Sequence, residues 1–559
     1  MDGTRIGLPQ GELRGVLTSG VRCFLGVPYA APPTGDLRFR APRPPVPWQG
    51  VRDVVTYAPA AYQFDLSNRE HVTGLVRRRD PGVEGVLPFP PAFMSDIMLD
   101  NSSEDCLYLD IYVPDRPDER PLPVFVYYHG GANVTNSASG KYDYQRGEAL
   151  ARAEGVIVVQ PQYRLGALGW VHFGLVEPEL GEAVNLGLQD QIAALSWVSE
   201  NIAAFGGDPG NVTIAGESAG GTAVSHLITD PQTRRLARRA IVQSLSPFNN
   251  WCTQQEPEAR AVAQTYQAVL GRGAVGEVDR DEFLALQNVM LRLFQPDDVL
   301  AWRPHGGVVD GDLVTGLPAL RLTEETFGQE QFEVVIGFAK DEWQFFRGHT
   351  PTLQETDRDT AVRVLSQALG TEGARRAYNG YAELYPDHRS AHLLSDIMSF
   401  LFFKFSSLEI ARSLAAQGVD VYVFQFSYDH PGLGGYLRAP HTGTLPFVFR
   451  STSPGQRRAV RSLEGADIGE VDKVAAEFGA LYGDFIRTGN PGEAWRRYDA
   501  DDEAVLWFGV PVQTRVGLLR AERETFAAAG ITSVRDLETR LLDRVRERLP
   551  AALDRLRNT

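Results

Sequence analysis

Apolar residues along this chain fall into short continuous runs that alternate with longer segments of helical spacing. Five runs are rich in apolar or β-branched residues: Pro123–Tyr128, Gly155–Gln160, Asn211–Ala215, Glu333–Gly337 and Val419–Phe424. Leu188–Phe205 has the spacing of a helix. Continuous apolar runs are typical of strands buried on both faces, and their alternation with helices indicates a mostly parallel sheet. The predicted fold class is therefore α/β, a large central sheet flanked by helices.

Two segments do not follow this alternation. Residues 64–103 are Pro-rich and irregular, which favours either a lid or binding loop or a surface excursion without a role. Between residues 534 and 557, apolar residues recur every three or four positions, and Pro550 divides the predicted helix. That apolar stripe either packs on the body or forms a dimer seam. We interpret residues 1–530 as one domain and residues 531–559 as a C-terminal helical extension.

Composition narrows the possible partners and compartments. The 559 residues carry a formal net charge of −16, which argues against nucleic acid or an anionic membrane surface as a partner. No run of about 18 apolar residues predicts a membrane span, and the first residues lack the pattern of a signal peptide. Only Cys23, Cys106 and Cys252 are present, without a C-x-x-C pair, which favours the cytoplasm and excludes a cysteine-built zinc site.

The chemistry-bearing motif is Gly216-x-Ser218-x-Gly220, which follows the run Asn211–Ala215 and precedes a segment that can start a helix. This is the pattern of a nucleophile elbow, where a serine lies on a sharp strand-to-helix turn. Glycines two positions before and after the serine allow the close backbone approach of such a turn. We predict Ser218 as the nucleophile, although the motif alone also occurs by chance.

A serine nucleophile needs a base, an acid that orients the base, and an oxyanion hole. The loop His129–Asn133 follows the run Pro123–Tyr128 and is of the glycine-rich type whose backbone N–H groups face an oxyanion. The predicted donors are Gly131, Ala132 and Ala219, while His129 is expected to shape the loop. In an elbow fold the acid follows the serine and the histidine follows the acid. The residue pattern leaves Asp341 and Glu342 open as the acid, and these histidines open as the base: His349, His388, His392, His430 and His441.

From about residue 12 to 520 the sequence resembles the type-B carboxylesterase/cholinesterase family of α/β-hydrolases. The motifs that carry the resemblance occur in one order: Phe24–Ala30, Leu37–Phe39, Ser103–Leu109, His129–Gly131, Tyr163–Gly166, Gly187–Gln191, Phe205–Pro209 and the elbow. The resemblance implies the α/β-hydrolase fold, with residues 1–530 as the catalytic domain and residues 64–103 as a loop insertion at the rim of the active-site gorge.

The resemblance also selects among the open candidates. It implies Glu342 as the catalytic acid and His441, in Ala439–Phe449, as the base, with Asp341 structuring the loop. It implies two architectural ion pairs, Arg38 with Glu104 and Arg164 with Asp190. In many relatives the cysteine at position 106 pairs with an earlier cysteine, but Ala61 stands where that partner is expected, which puts the disulfide in doubt.

Three positions near the predicted nucleophile are candidates for the substrate pocket. Asn133 replaces an aromatic residue that is usual after the glycine loop; it either adds a hydrogen-bonding group beside the oxyanion hole or caps a turn. Leu245 stands where glycine is usual and would narrow an acyl pocket if its side chain points inward. Ser246 matches a serine that supports the triad in relatives.

The predicted function is a serine carboxylic-ester hydrolase that acts through an acyl-enzyme on a small-molecule ester, without cofactor or metal. One alternative is a biosynthetic acyltransferase, lactonase or cyclase that uses the same triad, since hydrolysis and transfer share the acyl-enzyme. A more remote alternative is a non-catalytic interaction module. We expect a monomer or homodimer in the cytoplasm, and activity that falls below roughly pH 6 because the base must be neutral.

Overall fold

The computed structural model describes residues 4–63, 102–116, 120–138, 145–245, 253–271, 275–293, 305–327, 332–347, 356–452, 463–541 and 543. Most of the predicted rim loop, together with Ser246, Cys252 and His349, lies outside these ranges. So does the C-terminal segment from residue 544 onward.

An eleven-stranded sheet forms the centre of the molecule. From one edge to the other its strands are Val16–Thr18, Val21–Pro28, Tyr108–Pro114, Ile157–Pro161, Leu122–Tyr128, Gly207–Glu217, Arg239–Gln243, Glu333–Ala339, Asp420–Phe426, Ala504–Phe508 and Gln513–Val516. The strands from Ile157–Pro161 to Ala504–Phe508 run parallel, and the strands outside them pair antiparallel. The sheet is therefore mostly parallel, with antiparallel strands at both edges.

Smaller strand pairings accompany the main sheet. Arg5–Leu8, Gly11–Arg14 and Val51–Asp53 form a three-stranded sheet near the N-terminus. Two pairs of two-residue strands are Ala60–Ala61 with Ser102–Ser103, and Thr253–Gln254 with Gly307–Val308.

Helices connect the strands and cover the sheet. The α-helices are Glu148–Glu154, Gly166–Trp170, Leu186–Asn201, Ala219–Thr229, Pro231–Arg234, Glu256–Leu270, Arg280–Leu293, Pro318–Glu324, Glu342–Arg347, Arg358–Leu384, Ser390–Ser399, Phe405–Ala416, Leu445–Val448, Ile468–Thr488 and Arg520–Ala528. Single turns of 3₁₀ helix are Gly35–Leu37, Phe173–Leu175, Pro178–Leu180, Ile202–Phe205, Val275–Glu277 and Leu433–Gly435, and one π-helical turn is Phe400–Lys404. Within the described ranges, no helix combines the length and the apolar character that crossing a bilayer requires.

The central strands are buried on both faces because helices pack against each side. Along Leu122–Tyr128, the side chains of Val124, Val126 and Tyr128 belong to one hydrophobic cluster, whereas those of Phe125 and Tyr127 belong to another. This alternation follows from the two-residue period of a strand. The continuous apolar runs in the sequence therefore correspond to strands that contribute side chains to two hydrophobic clusters, one on each face of the sheet. The α/β prediction is confirmed.

The described part of the C-terminal extension lies against the body. Residues 534–541 are helical, and Val534, Leu537 and Leu541 are buried in the larger of the two clusters. The same cluster contains Leu369 and Phe526 from helices that precede the extension. This part of the extension thus covers apolar surface of the main body.

Candidate active site

Ser218 lies at the sharp turn between the strand Gly207–Glu217 and the helix Ala219–Thr229. Its backbone has φ 60° and ψ −124°, a conformation that costs a non-glycine residue roughly 1–3 kcal/mol and that clusters at functional sites. The Ser218 N–H donates to the Gln243 carbonyl at 3.0 Å, and the Ser218 carbonyl accepts from the Thr222 N–H at 3.0 Å. The turn is thus held by the neighbouring strand and by the first turn of the helix.

Two glycines make this turn possible. A Cβ atom at Gly216 would lie 2.3 Å from the Gly220 carbonyl oxygen, and one at Gly220 would lie 2.1 Å from the Tyr128 carbonyl oxygen. Both distances are far inside van der Waals contact, and both neighbours are backbone atoms that cannot move aside. The G-x-S-x-G spacing is therefore a packing requirement of this site.

The glycine-rich loop after Leu122–Tyr128 contacts the elbow directly. A Cβ atom at Gly130 would lie 2.6 Å from the Glu217 carbonyl oxygen and 3.0 Å from Ser218 Cβ. Ala132 follows with φ 55°, in the left-handed region, so its N–H direction is set by an unusual backbone conformation. The structure therefore brings the predicted donor loop and the predicted nucleophile together.

His129 fixes the start of that loop. Its ring stacks on Tyr163 with centroids 4.4 Å apart, and the Tyr163 hydroxyl donates to the His129 carbonyl at 2.5 Å. Burial lowers the pKa of His129 to about 4, so the ring is neutral at ordinary pH. These contacts fit the loop-shaping role expected from the sequence.

Glu342 and His441, 99 residues apart in the chain, meet at the site. Glu342 is the first residue of the helix Glu342–Arg347, directly after the strand Glu333–Ala339 and its two-residue turn. His441 Nδ1 lies 2.5 Å from Glu342 Oε2, and the Ala339 N–H donates to Glu342 Oε1 at 2.7 Å. Each carboxylate oxygen of this fully buried group therefore has a donor, which holds the carboxylate in one orientation.

Asp341, the alternative acid, points to a different partner. Its carboxylate pairs with Arg438 and accepts from the Ala439 N–H. Among the other candidate histidines, His388 pairs with Asp396 and His430 is buried among Phe426, Tyr428 and Phe447. The structure thus brings His441, and none of the other described candidates, to Glu342.

Glu217, which no sequence pattern marked as a site residue, is part of the same arrangement. It is buried, and its Oε1 lies 3.3 Å from His441 Nε2, close enough for electrostatic attraction although not aligned as a hydrogen bond. Burial raises the pKa of Glu217 to about 7, partly offset by the charge of His441. The sequence does show an acidic residue directly before Ser218. The orientation of its side chain, however, depends on the backbone geometry of the turn.

The carboxylates of Glu217 and Glu342 influence the charge state of His441, the predicted base. Burial alone would lower the pKa of His441, but Glu217 and Glu342 outweigh burial and raise this pKa above its ordinary value. A base must be neutral to accept a proton, so the predicted role of His441 implies that activity decreases as pH falls through this raised pKa. The acid limb of the pH profile is therefore expected at a higher pH than an unperturbed histidine would give.

Glu217→Gln is expected to move the acid limb of kcat/KM to lower pH, because the substitution removes a negative charge that stabilises protonated His441. Glutamine keeps the size of the side chain and an oxygen acceptor. The profile should be measured with a neutral ester from pH 5 to 9. Glu538→Gln, a buried carboxyl whose charged neighbours are Glu324 and Arg535, serves as the matched control and should leave the limb in place. An unmoved limb in Glu217→Gln would contradict the coupling to His441.

Aromatic rings surround the imidazole. The rings of Phe346 and Phe403 each lie 5.1 Å from that of His441, and Phe345 lies 5.7 Å away. Phe403 belongs to the π-helical turn Phe400–Lys404, a rare element that is frequent at functional sites. The imidazole is therefore packed among aromatic rings, of which only that of Phe346 is partly exposed.

The three predicted pocket positions have different outcomes. Asn133 is buried with φ 60°, a backbone conformation that asparagine tolerates better than most residues, and its Nδ2 donates to the His305 carbonyl at 3.3 Å. Leu245 is buried in the larger hydrophobic cluster. Ser246 lies outside the described residues. Their roles in substrate binding stay predictions.

Two ion pairs that the family resemblance implied are present. Arg38 Nη2 lies 2.9 Å from Glu104 Oε1, and Arg164 makes two side-chain hydrogen bonds to Asp190, at 2.7 and 2.8 Å. Both predictions are confirmed. Across the described ranges, no group of three or more His, Cys, Asp or Glu side chains is arranged to hold a metal ion.

Comparison with known proteins gives a consistent result. The carboxylesterase family matches residues 2–526. The para-nitrobenzyl esterase of Bacillus subtilis (strain 168) is 31% identical over 517 residues, covering 91% of this chain and 93% of the relative. The human cocaine esterase is 32% identical over 529 residues, covering 91% and 87%.

The fold comparison agrees. The solved Geobacillus stearothermophilus carboxylesterase EST55 superposes with a TM-score of 0.77 at 30% identity, over 94% of this chain and 100% of that chain. The fold that this chain shares with these esterases therefore contains an elbow serine, a buried histidine–carboxylate pair and a glycine-rich loop. The chain belongs to the carboxylesterase family and is a serine ester hydrolase with the α/β-hydrolase fold.

Proposed function

We propose that Ser218, His441 and Glu342 are the catalytic triad of this carboxylesterase. The observation that carries the proposal is the 2.5 Å contact of His441 Nδ1 with Glu342 Oε2, with Nε2 on the side of Glu217, the residue before the elbow serine. A carboxylate on Nδ1 fixes the tautomer that leaves Nε2 free to accept a proton. The strained backbone of Ser218 supports its role as the nucleophile.

The reaction then has two halves. Neutral His441 takes the hydroxyl proton of Ser218 as the oxygen attacks the ester carbonyl, and the protonated imidazole gives that proton to the leaving alcohol. Water, deprotonated by His441, attacks the acyl-enzyme and releases the carboxylic acid. Glu342 and Glu217 both stabilise the positive charge that His441 carries between the two proton transfers.

The proposed oxyanion hole consists of the backbone N–H groups of Gly131, Ala132 and Ala219. The contact of Gly130 with Ser218 supports this assignment, because it places the loop against the nucleophile. Removal of one such donor typically costs roughly 3–4 kcal/mol of transition-state stabilisation. Side-chain substitution cannot delete a backbone N–H group. The size of the side chain at position 132 is therefore what mutagenesis can change in this loop.

The proposed substrate is a small, uncharged, lipophilic carboxylic ester. The ring of Phe346 supports this class, because it is partly exposed 5.1 Å from the ring of His441 and an apolar surface favours an apolar group on the ester. Asn133 and Leu245 are the proposed specificity positions beside the nucleophile. The proposed substrate class follows from the side chains of the site and not from the fold, because one fold accommodates many substrates.

A cytoplasmic location is part of the proposal. Cys23 and Cys106 are free and buried, as expected of thiols in a reducing compartment. Whether the enzyme is a monomer or a homodimer stays a prediction from the sequence.

Labelling with a lipophilic p-nitrophenyl phosphonate tests the triad directly. We expect a burst of one p-nitrophenolate per chain, complete loss of esterase activity, and a phosphonyl group on the peptide that contains Ser218. The rate of labelling should follow the acid limb of kcat/KM, because both need neutral His441. Stoichiometric labelling of another residue, or activity that survives labelling, would reject the assignment.

A further inference from the structure

The loops that carry the acid and the base are joined by contacts that involve neither Glu342 nor His441. The Asp341 N–H donates to the Ala439 carbonyl at 2.9 Å, and the Ala439 N–H donates to Asp341 Oδ2 at 3.3 Å. Asp341 and Pro440 form an isolated parallel bridge. The residue before each proposed catalytic side chain is therefore paired with the other loop, so a shift of either loop would change the Glu342–His441 distance.

Arg438 holds this junction electrostatically. Its Nη1 atom lies 3.0 Å from Asp341 Oδ1 and 3.7 Å from Asp396 Oδ1. The Asp341 side chain is only 2% exposed, so its negative charge needs nearby cations. Lys340 Nζ lies 3.7 Å from Asp341 Oδ2, but Arg438 is the cation that joins Asp341 of the acid loop to Asp396. Arg438 has φ 55°, a conformation that arginine rarely adopts, and its ion pairs hold this backbone in place three residues before His441.

The helix Ser390–Ser399 forms a platform under both loops. Asp396 pairs with Arg438 from the base loop, and the Ser395 hydroxyl donates to Gln344 Oε1 at 3.1 Å. The Ser399 hydroxyl accepts from the Trp343 N–H at 2.9 Å. Gln344 and Trp343 directly follow Glu342, so the acid's helix and the base's loop share one support.

We propose that Arg438 is a positioning residue for the Glu342–His441 pair, acting through Asp341 and Asp396 and never contacting the substrate. The proposal rests on the assignment of the triad above. Proton transfer tolerates only small errors in geometry, and a displacement of 1 Å can cost about 100-fold in rate. The positive charge, rather than the shape of the guanidinium, is what the site uses, because a single nitrogen contacts both carboxylates.

The test compares Arg438→Gln and Arg438→Lys with a matched control, Arg450→Gln. Arg450 is as exposed as Arg438, at 22% against 23%, has φ 56°, and pairs with the buried Glu154. Its partner lies on the helix Glu148–Glu154, which carries none of the proposed catalytic residues. The control thus removes the same kind of ion pair from the same kind of backbone.

We expect Arg438→Gln to lower kcat by about 10- to 100-fold with little change in KM, because the chemical step and not ester binding depends on the pair. Arg438→Lys should recover most of kcat, since the ammonium supplies the charge. Arg450→Gln should lose thermal stability but keep the wild-type kcat. The downfield proton resonance of the imidazole Nδ1–H should weaken in Arg438→Gln and persist in Arg450→Gln.

Equal kcat values for Arg438→Gln and Arg450→Gln, or failure of lysine to restore kcat in a folded variant, would overturn the positioning role. If Arg438→Gln does not fold, kcat and the His441 Nδ1–H resonance of Arg438→Lys decide the same question. Ser218→Ala in the same assay separates the two proposals. An active Ser218→Ala would reject the triad, whereas an inactive Ser218→Ala beside a fully active Arg438→Gln would reject only the inference about Arg438.

Discussion

Ser218→Ala is expected to lower kcat by at least about 10⁵-fold, since removal of the nucleophile leaves only the contributions of binding and the oxyanion hole. The fold should persist, because the hydrogen bonds that hold the turn use the backbone N–H and carbonyl of residue 218. Alanine keeps the Cβ atom and introduces no new contact. Hydrolysis of a p-nitrophenyl ester and thermal unfolding, measured on the same preparation, test both statements.

Ser225→Ala is the matched control for this experiment. Ser225 is fully buried in the helix that begins after the elbow, and its hydroxyl donates to the Thr222 carbonyl at 2.6 Å. Its loss should cost about 1 kcal/mol of stability and leave kcat unchanged. If Ser218→Ala kept most of the activity, the ester would be cleaved by another group and the assignment would be wrong.

The local elements of the fold were predictable because each rests on a contiguous pattern. Each apolar run became a strand whose bounds differ by a few residues, such as Gly207–Glu217 for the run Asn211–Ala215 and Ile157–Pro161 for the run Gly155–Gln160. The elbow was predictable for the same reason, because contacts within the turn and with the adjacent strand leave no room for a Cβ atom at its two glycines. In these segments the neighbours that decide the structure are close in the sequence or belong to the next strand.

The distant parts of the site needed information that spacing does not contain. Asp341 and Glu342 both follow a strand, and only the resemblance to the family favoured Glu342; in the structure Glu342 contacts His441 and Asp341 contacts Arg438. Glu217 was missed because its orientation toward His441 depends on the backbone of the turn. The aromatic rings around His441 were missed because Phe346 and Phe403 come from different helices and meet only through tertiary packing.

Asp190→Asn is expected to destabilise the protein by about 3–5 kcal/mol, because it leaves the guanidinium of Arg164 buried without its counter-charge. The two side chains are 2% and 0% exposed, and Asp190 accepts from the Arg164 Nε, Nη2 and backbone N–H groups. Thermal unfolding should be compared at one scan rate, since large enzymes often unfold irreversibly. Glu372→Gln, which breaks the exposed pair with Arg376, is the control and should cost no more than about 1 kcal/mol.

The double variant Arg164→Met/Asp190→Leu separates an unpaired charge from lost packing. If the cost of Asp190→Asn is the stranded cation, the double variant, which buries no charge, should be more stable than Asp190→Asn. If it is less stable, packing and not charge dominates at this position. The segment of Arg164 also supports the proposed oxyanion loop, because the Gly166 N–H donates to the Asn133 carbonyl at 2.6 Å. Asp190→Asn should therefore lower kcat even at temperatures where the protein remains folded. Loss of an ion pair with a purely scaffolding role far from the site would leave kcat unchanged under these conditions.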